Sequence, residues 1–155
     1  MYFVLVKLRR DKFRAEGLGS VYYEAYRNMI IYRIAPSVSN DELNNLFLAA
    51  WPDHQWRDFK PLLNQSLTFV CAYQAHQLVG FVNLVWDGGL HAFILDTTVH
   101  PELRRNGIGL KLVQQAAEFA QDNGVKWLHV DYEPHLRGFY QKCGFRHTEA
   151  GLRGL

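Results

Sequence analysis

The stretch HPELRRNGIGLKLVQQAAEFA, His100 to Ala120, opens in proline and charge, passes through two glycines, Gly107 and Gly109, and ends in a strongly patterned run. From Lys111 onward the polar residues fall at Lys111, Gln114, Gln115, Glu118, Gln121 and Asp122, one solvated face at a period of about 3.6 residues. Ile108, Leu110, Leu112, Val113, Ala116, Ala117, Phe119 and Ala120 fill the rest, a broad apolar face suited to lying on a sheet. The spacing predicts a helix from Gly107 to Asp122, stopped by Asn123-Gly124. Upstream, HAFILDTTV (His91 to Val99) is β-branched and nearly all apolar, which reads as a buried strand that Pro101 ends. The glycines therefore stand between a central strand and a helix N-terminus, where unpaired N–H groups and the helix dipole attract anions. Without a Cβ, the backbone there is open to close approach by a phosphate. The same glycines also suit a tight strand-to-helix connection with no ligand, so spacing alone leaves both readings open.

Working outward, MIIYRIAP (Met29 to Pro36) reads as a strand and SVSNDELNNLFLAAW as a helix, with Ser39 and Glu42 spaced as a capping box and Pro52 as the stop. A second helix is expected within HQWRDFKPLLNQS, interrupted by Pro61. LTFVCAYQAHQLVGFVNLVWDGG reads as two strands around a turn from Gln74 to Gln77, followed by the Asp87-Gly88-Gly89 turn into His91–Val99, which makes an antiparallel meander. Beyond the glycine helix, VKWLHVDY is a strand, EPHLRGFYQK a helix beginning near Pro134 and stopped by Gly144, and FRHTEA a final strand. The predicted order is β-α-α-β-β-β-α-β-α-β, an α/β chain with one mixed sheet flanked by helices. Residues 1 to 28 show no sustained period and read as an N-terminal extension to a domain spanning 29 to 155.

The 155 residues, at 48% hydrophobic and a net charge of +2, fit one globular domain and give no basis for a nucleic-acid surface. Arg104-Arg105 is too short a basic run to be one. Cys71 and Cys143 lack metal-ligand spacing, and the seven histidines form no metal arrangement, so no metal is expected. No apolar run reaches the ~18 residues that span a bilayer, and the first segment has its basic residues after its apolar ones, the reverse of a secretory signal; a cytoplasmic protein is expected.

Three phosphate-binding designs begin with glycines. The Walker pattern GxxxxGK[ST] is absent. A dinucleotide fold would take Gly107-Ile108-Gly109 together with Asp131, but its third glycine position is Leu112, and successive βαβ units are missing. The third is R-x-x-G-x-G, here Arg104-Arg105-Asn106-Gly107-Ile108-Gly109, after a strand ending Val99-His100-Pro101. With FYQKCGF (Phe139 to Phe145) following on the helix after the next strand, it resembles the GNAT acetyltransferase superfamily, from Met29 to about Thr148.

The resemblance implies a GNAT-like acyl-CoA N-acyltransferase fold and an N-acetyltransferase that moves an acetyl group from acetyl-CoA to a primary amine by direct transfer. Its alternative is a non-catalytic acyl-CoA-binding sensor or partner module of the same fold. The loop Arg104, Arg105, Asn106, Gly107, Ile108, Gly109 would hold the pyrophosphate, and the backbone near Thr98 and Val99 would pair with the pantetheine arm. Tyr140 would be the general acid for the departing thiolate, since a phenol is protonated at neutral pH. Many relatives carry Asn and Ala where this chain has Glu133 and Leu136. Asp96, inside the buried strand, and Glu133 are the possible bases for the acceptor amine; a hydrogen-bonded structural role suits Asp96 equally, and a helix-dipole role suits Glu133 better. WPDHQW, Trp51 to Trp56, lies where relatives often build part of the acceptor pocket. The implied partners are acetyl-CoA and an amine acceptor, with no nucleic acid and no membrane, in a monomer or homodimer.

Overall fold

The computed structural model describes residues 27–154, so the expected extension lies outside the described residues except for its last two positions. β1 (Ile30–Ile34) is followed by α1 (Asn40–Ala50), α2 (Lys60–Gln65), β2 (Thr68–Gln74), β3 (Gln77–Trp86) and β4 (His91–Val99). A short 3₁₀ turn at Pro101–Leu103 leads to α3 (Ile108–Asp122), β5 (Trp127–Val130), a second 3₁₀ turn at Pro134–Leu136 and α4 (Arg137–Lys142). The five strands lie side by side in chain order; the first four are antiparallel neighbours, and β5 runs parallel to β4. The parallel step is possible because α3 supplies the crossover between β4 and β5.

Local chemistry sets most of these boundaries. Ser39 caps α1 reciprocally with Glu42, as its spacing predicts: the Glu42 amide donates to Ser39 Oγ, and the Ser39 amide donates to Glu42 Oε2 at 2.9 Å. Pro61 stands in the first turn of α2 and opens that helix rather than interrupting it, since a first-turn N–H is unpaired anyway. Asp87 Oδ1 accepts from the amides of Gly89 and His91 and so closes the turn into β4. Gly144, at φ 91°, ends α4 as expected.

Two hydrophobic layers sandwich the sheet. On one face α3 lays Ile108, Leu112, Val113, Ala116 and Ala120 over Val82, Leu84, Ala92 and Ile94, and Tyr140 of α4 joins them. On the other, Leu43, Leu46 and Phe47 of α1, with Phe59, cover Cys71, Tyr73, Leu78 and Phe81. Gly80 in β3 is the point of closest approach: a Cβ there would stand 2.9 Å from Leu112 Cδ1 and 3.2 Å from Ala72 Cβ.

The expected final strand requires correction. Phe145–Ala150 forms neither strand nor helix; it is mostly exposed, and among the described residues β4 is the one strand beside β5. An extended segment becomes a strand only by pairing its backbone, and this one has no partner among the described residues.

Candidate active site

Two irregularities in β4 create the site. Phe81 pairs with Thr98 and Asn83 with Leu95, so Val82 faces both Asp96 and Thr97, a β-bulge with Asp96 in the left-handed region at φ 54°. On its other edge, β4 pairs with β5 only from His91↔Trp127 to Ile94↔Val130. The remainder of β4, up to Val99, has no strand on that side among the described residues. A slot therefore opens beside the bulge, along the part of β4 that β5 leaves uncovered, and the glycine loop lies at its end.

In that loop the amides from Arg105 to Leu110 donate to no acceptor among the described residues. Arg105 (φ 67°) and Gly107 (φ 79°) are both left-handed, so the chain alternates direction and forms a concave run of donors. Nothing lies within 4 Å of a Cβ placed on Gly107, which leaves its approach open. Gly109 differs: its Cβ would sit 3.3 Å from the Phe139 ring and 3.5 Å from Val99 Cγ2. The second glycine thus serves the packing of helix on helix, whereas the first leaves the cradle clear.

The loop's own side chains mostly shape it. Arg104 Nε donates to Val99 O at 3.2 Å and Nη2 to Ala50 O at 3.1 Å, bolting the loop to the ends of β4 and α1. Asn106 Nδ2 donates to Leu103 O, and Ile108 is buried in the core. What these residues present outward is backbone. Val99 O is already engaged by Arg104, and the Thr98 hydroxyl faces the α1 side, accepting from Trp51 Nε1 at 3.1 Å and donating to Asp96 O.

Tyr140 is 5% exposed, stacked on Tyr132 at 4.9 Å and edge-on to Phe139 and Phe145. Burial raises its phenol pKa above 10, with Thr97 of the bulge opposing from beside it. Thr97 Oγ1 is itself buried without a well-formed hydrogen bond, so the contact is a loose one. Tyr140 and the bulge thus meet at the slot. Burial also raises the Asp96 carboxyl above 3.8, opposed by the charge of Arg57. Glu133 is exposed at the entry to the Pro134–Leu136 turn and makes no capping hydrogen bond.

A family description of the acetyltransferase (GNAT) family matches residues 37–145. The chain belongs to that family. It is 26% identical over 132 residues to GCN5-related N-acetyltransferase 1, chloroplastic, of Arabidopsis thaliana, covering 83% of this chain and 67% of that protein. A putative acetyltransferase from Deinococcus radiodurans shares the fold at TM-score 0.69 and 22% identity, covering 81% of this chain and 87% of that one. The aminoglycoside N-acetyltransferase AAC(6')-Iy, solved in complex with CoA, does so at TM-score 0.68 and 18% identity, over 82% and 94% of the two chains. Acetyl transfer is thus the general chemistry of this GNAT protein, as its two motifs imply.

Sequence reasoning missed Thr97 and Arg57. A threonine in a strand carries no signal of its own, and Arg57 reaches the site only because the loop after α1 folds back over the aromatic layer.

Proposed function

We propose that this protein transfers the acetyl group of acetyl-CoA directly to a primary amine within one ternary complex. The observation that carries the reading is the run of unpaired amides from Arg105 to Leu110 at the end of the β4–β5 slot, with Asp96 and Tyr140 beside that slot. Donors of that kind, at a helix N-terminus, fit a pyrophosphate. The edge of β4 beyond Ile94, which β5 leaves uncovered, fits the amides of a pantetheine arm, which would lie along it as an added strand.

Asp96 is the preferred base. Its burial raises the pKa and thereby its capacity to take a proton from an incoming ammonium, whereas Glu133 is solvent-exposed. The freed amine nitrogen attacks the thioester carbonyl carbon; a C–N bond forms, the C–S bond breaks, and the nitrogen gives up its second proton to solvent as it becomes the amide N–H. Tyr140, protonated throughout the neutral range because burial holds its pKa high, gives its proton to the departing sulfur and regains one from solvent. The proton on Asp96 leaves to solvent as well.

The test is incubation with acetyl-CoA and a broad panel of primary amines while free thiol is followed. Thiol release with one or more amines is expected. CoA binding with no thiol release from any amine would overturn the catalytic reading in favour of a CoA-binding module.

A further inference from the structure

The loop after α1 holds one cation with unusual care. Asn44, fully buried on α1, donates Nδ2 to Arg57 O at 2.9 Å and accepts from the Arg57 amide at 3.0 Å, so it brackets one residue's backbone from both sides. The same Oδ1 meets His54 Nε2 at 2.9 Å, and Asn40 Oδ1 accepts from the Phe59 amide. The loop is therefore pinned at His54, Arg57 and Phe59. The Arg57 side chain lies over Phe59 at 4.5 Å and Phe47 at 5.7 Å, while Phe47 rests on Phe81, the β3 partner of Thr98. This seats the guanidinium on an aromatic step beside the bulge that carries Asp96.

Despite this placement, the guanidinium has no hydrogen-bond acceptor and no carboxylate within ion-pair distance among the described residues. Asp58, next in sequence, spends its carboxylate on Asn40 Nδ2 and the Lys60 amide. An ordinary surface arginine would be free to sample solvent; this one has its backbone fixed by a buried amide and its guanidinium lying over rings, which lowers the entropy lost when a ligand arrives. A fixed cation and a nearby carboxylate that do not pair with each other match a molecule that carries both charges.

Resting on the acetyl-transfer reading above, we propose that Arg57 selects the acceptor: the amine substrate bears an anionic group, carboxylate or phosphate, which the Arg57 guanidinium binds while the nitrogen is held at Asp96. Planar N–H pairs suit either oxyanion bidentately.

Matched probes test it: phosphoethanolamine against ethanolamine, and β-alanine against propylamine, each titrated by calorimetry into the CoA-loaded protein and each assayed for thiol release with acetyl-CoA. An anionic probe is expected to bind about tenfold or more tightly than its counterpart without the anionic group. Arg57→Gln should abolish that difference, raising KM for the anionic amine with a smaller change in kcat, and Arg57→Lys should restore part of it. Equal binding of both members of each pair, absence of binding by either anionic probe at millimolar concentration, or unchanged affinity in Arg57→Gln would overturn the proposal. If the anionic preference and its loss in Arg57→Gln are found but no amine yields thiol, the Arg57 site stands and the acetyl-transfer reading falls.

Discussion

Gly107→Asp separates the electrostatics of the cradle from its backbone geometry. Gly107 has φ 79° and open space where a Cβ would go, so a Cβ there meets no protein atom within 4 Å. Asp and Asn both tolerate the left-handed region better than other residues, so each variant should fold with a small loss of stability. The Asp carboxylate would then point into the space the pyrophosphate is read to occupy. Two unit charges about 4 Å apart near a protein surface repel by about 4 kcal/mol, nearly three decades in affinity. Salt screening at an exposed loop reduces this, so CoA should bind about 10²–10³-fold more weakly at low ionic strength. Gly107→Asn, of the same shape without the charge, should lose about tenfold or less. Calorimetric titration with CoA gives the affinities, and thermal melts establish that both variants are folded. If the Asp variant binds within about threefold of the Asn variant, the amides from Arg105 to Leu110 do not hold the pyrophosphate and the phosphate argument fails.

Gly80→Ala should destabilise by about 1–3 kcal/mol, because its Cβ meets Leu112 Cδ1 at 2.9 Å and Ile108 Cγ2 at 3.2 Å in a close-packed core; an unchanged urea midpoint would contradict that packing. Tyr140→Phe keeps the stacked ring and removes the hydroxyl, so turnover should fall about 10²-fold or more with acetyl-CoA affinity nearly constant, and wild-type turnover would leave Tyr140 purely structural. For Asp96, burial places the folded-state pKa above the unfolded value, so the folded chain binds the proton more tightly and loses stability as pH rises through the folded pKa. Asp96→Asn, which also accepts φ 54°, should therefore raise Tm at neutral pH while depressing turnover and removing the acid limb of the rate profile; a lower Tm at neutral pH would show that the carboxylate is stabilising.

Features written in short-range chemistry were legible in the sequence. Ser39 and Glu42 announce a helix start within four residues of chain, and Gly107 marks a backbone that must turn left-handed. The apolar face from Ile108 to Ala120 fixes which side of α3 meets the sheet. The rest depends on partners distant in sequence. HAFILDTTV reads as one continuous strand, and nothing in it announces that Val82 will face two of its residues or that β5 leaves after Ile94. FRHTEA has a strand's composition but finds no strand to pair with among the described residues. Asp96 was legible as a buried carboxylate, whereas Arg57 beside it, 39 positions earlier in the chain by their numbers, was not.

The 3.3 Å approach between a Cβ on Gly109 and the Phe139 ring joins the two signature segments into one mechanical part. A larger residue at 109 pushes on Phe139, and through the adjacent stack of Phe139, Tyr140 and Tyr132 it would shift the phenol against β4. Recombination between such chains is therefore constrained: a loop transplanted from a relative must bring along the residue at position 139, or a compensating change there, because the two segments inherit their fit as a pair.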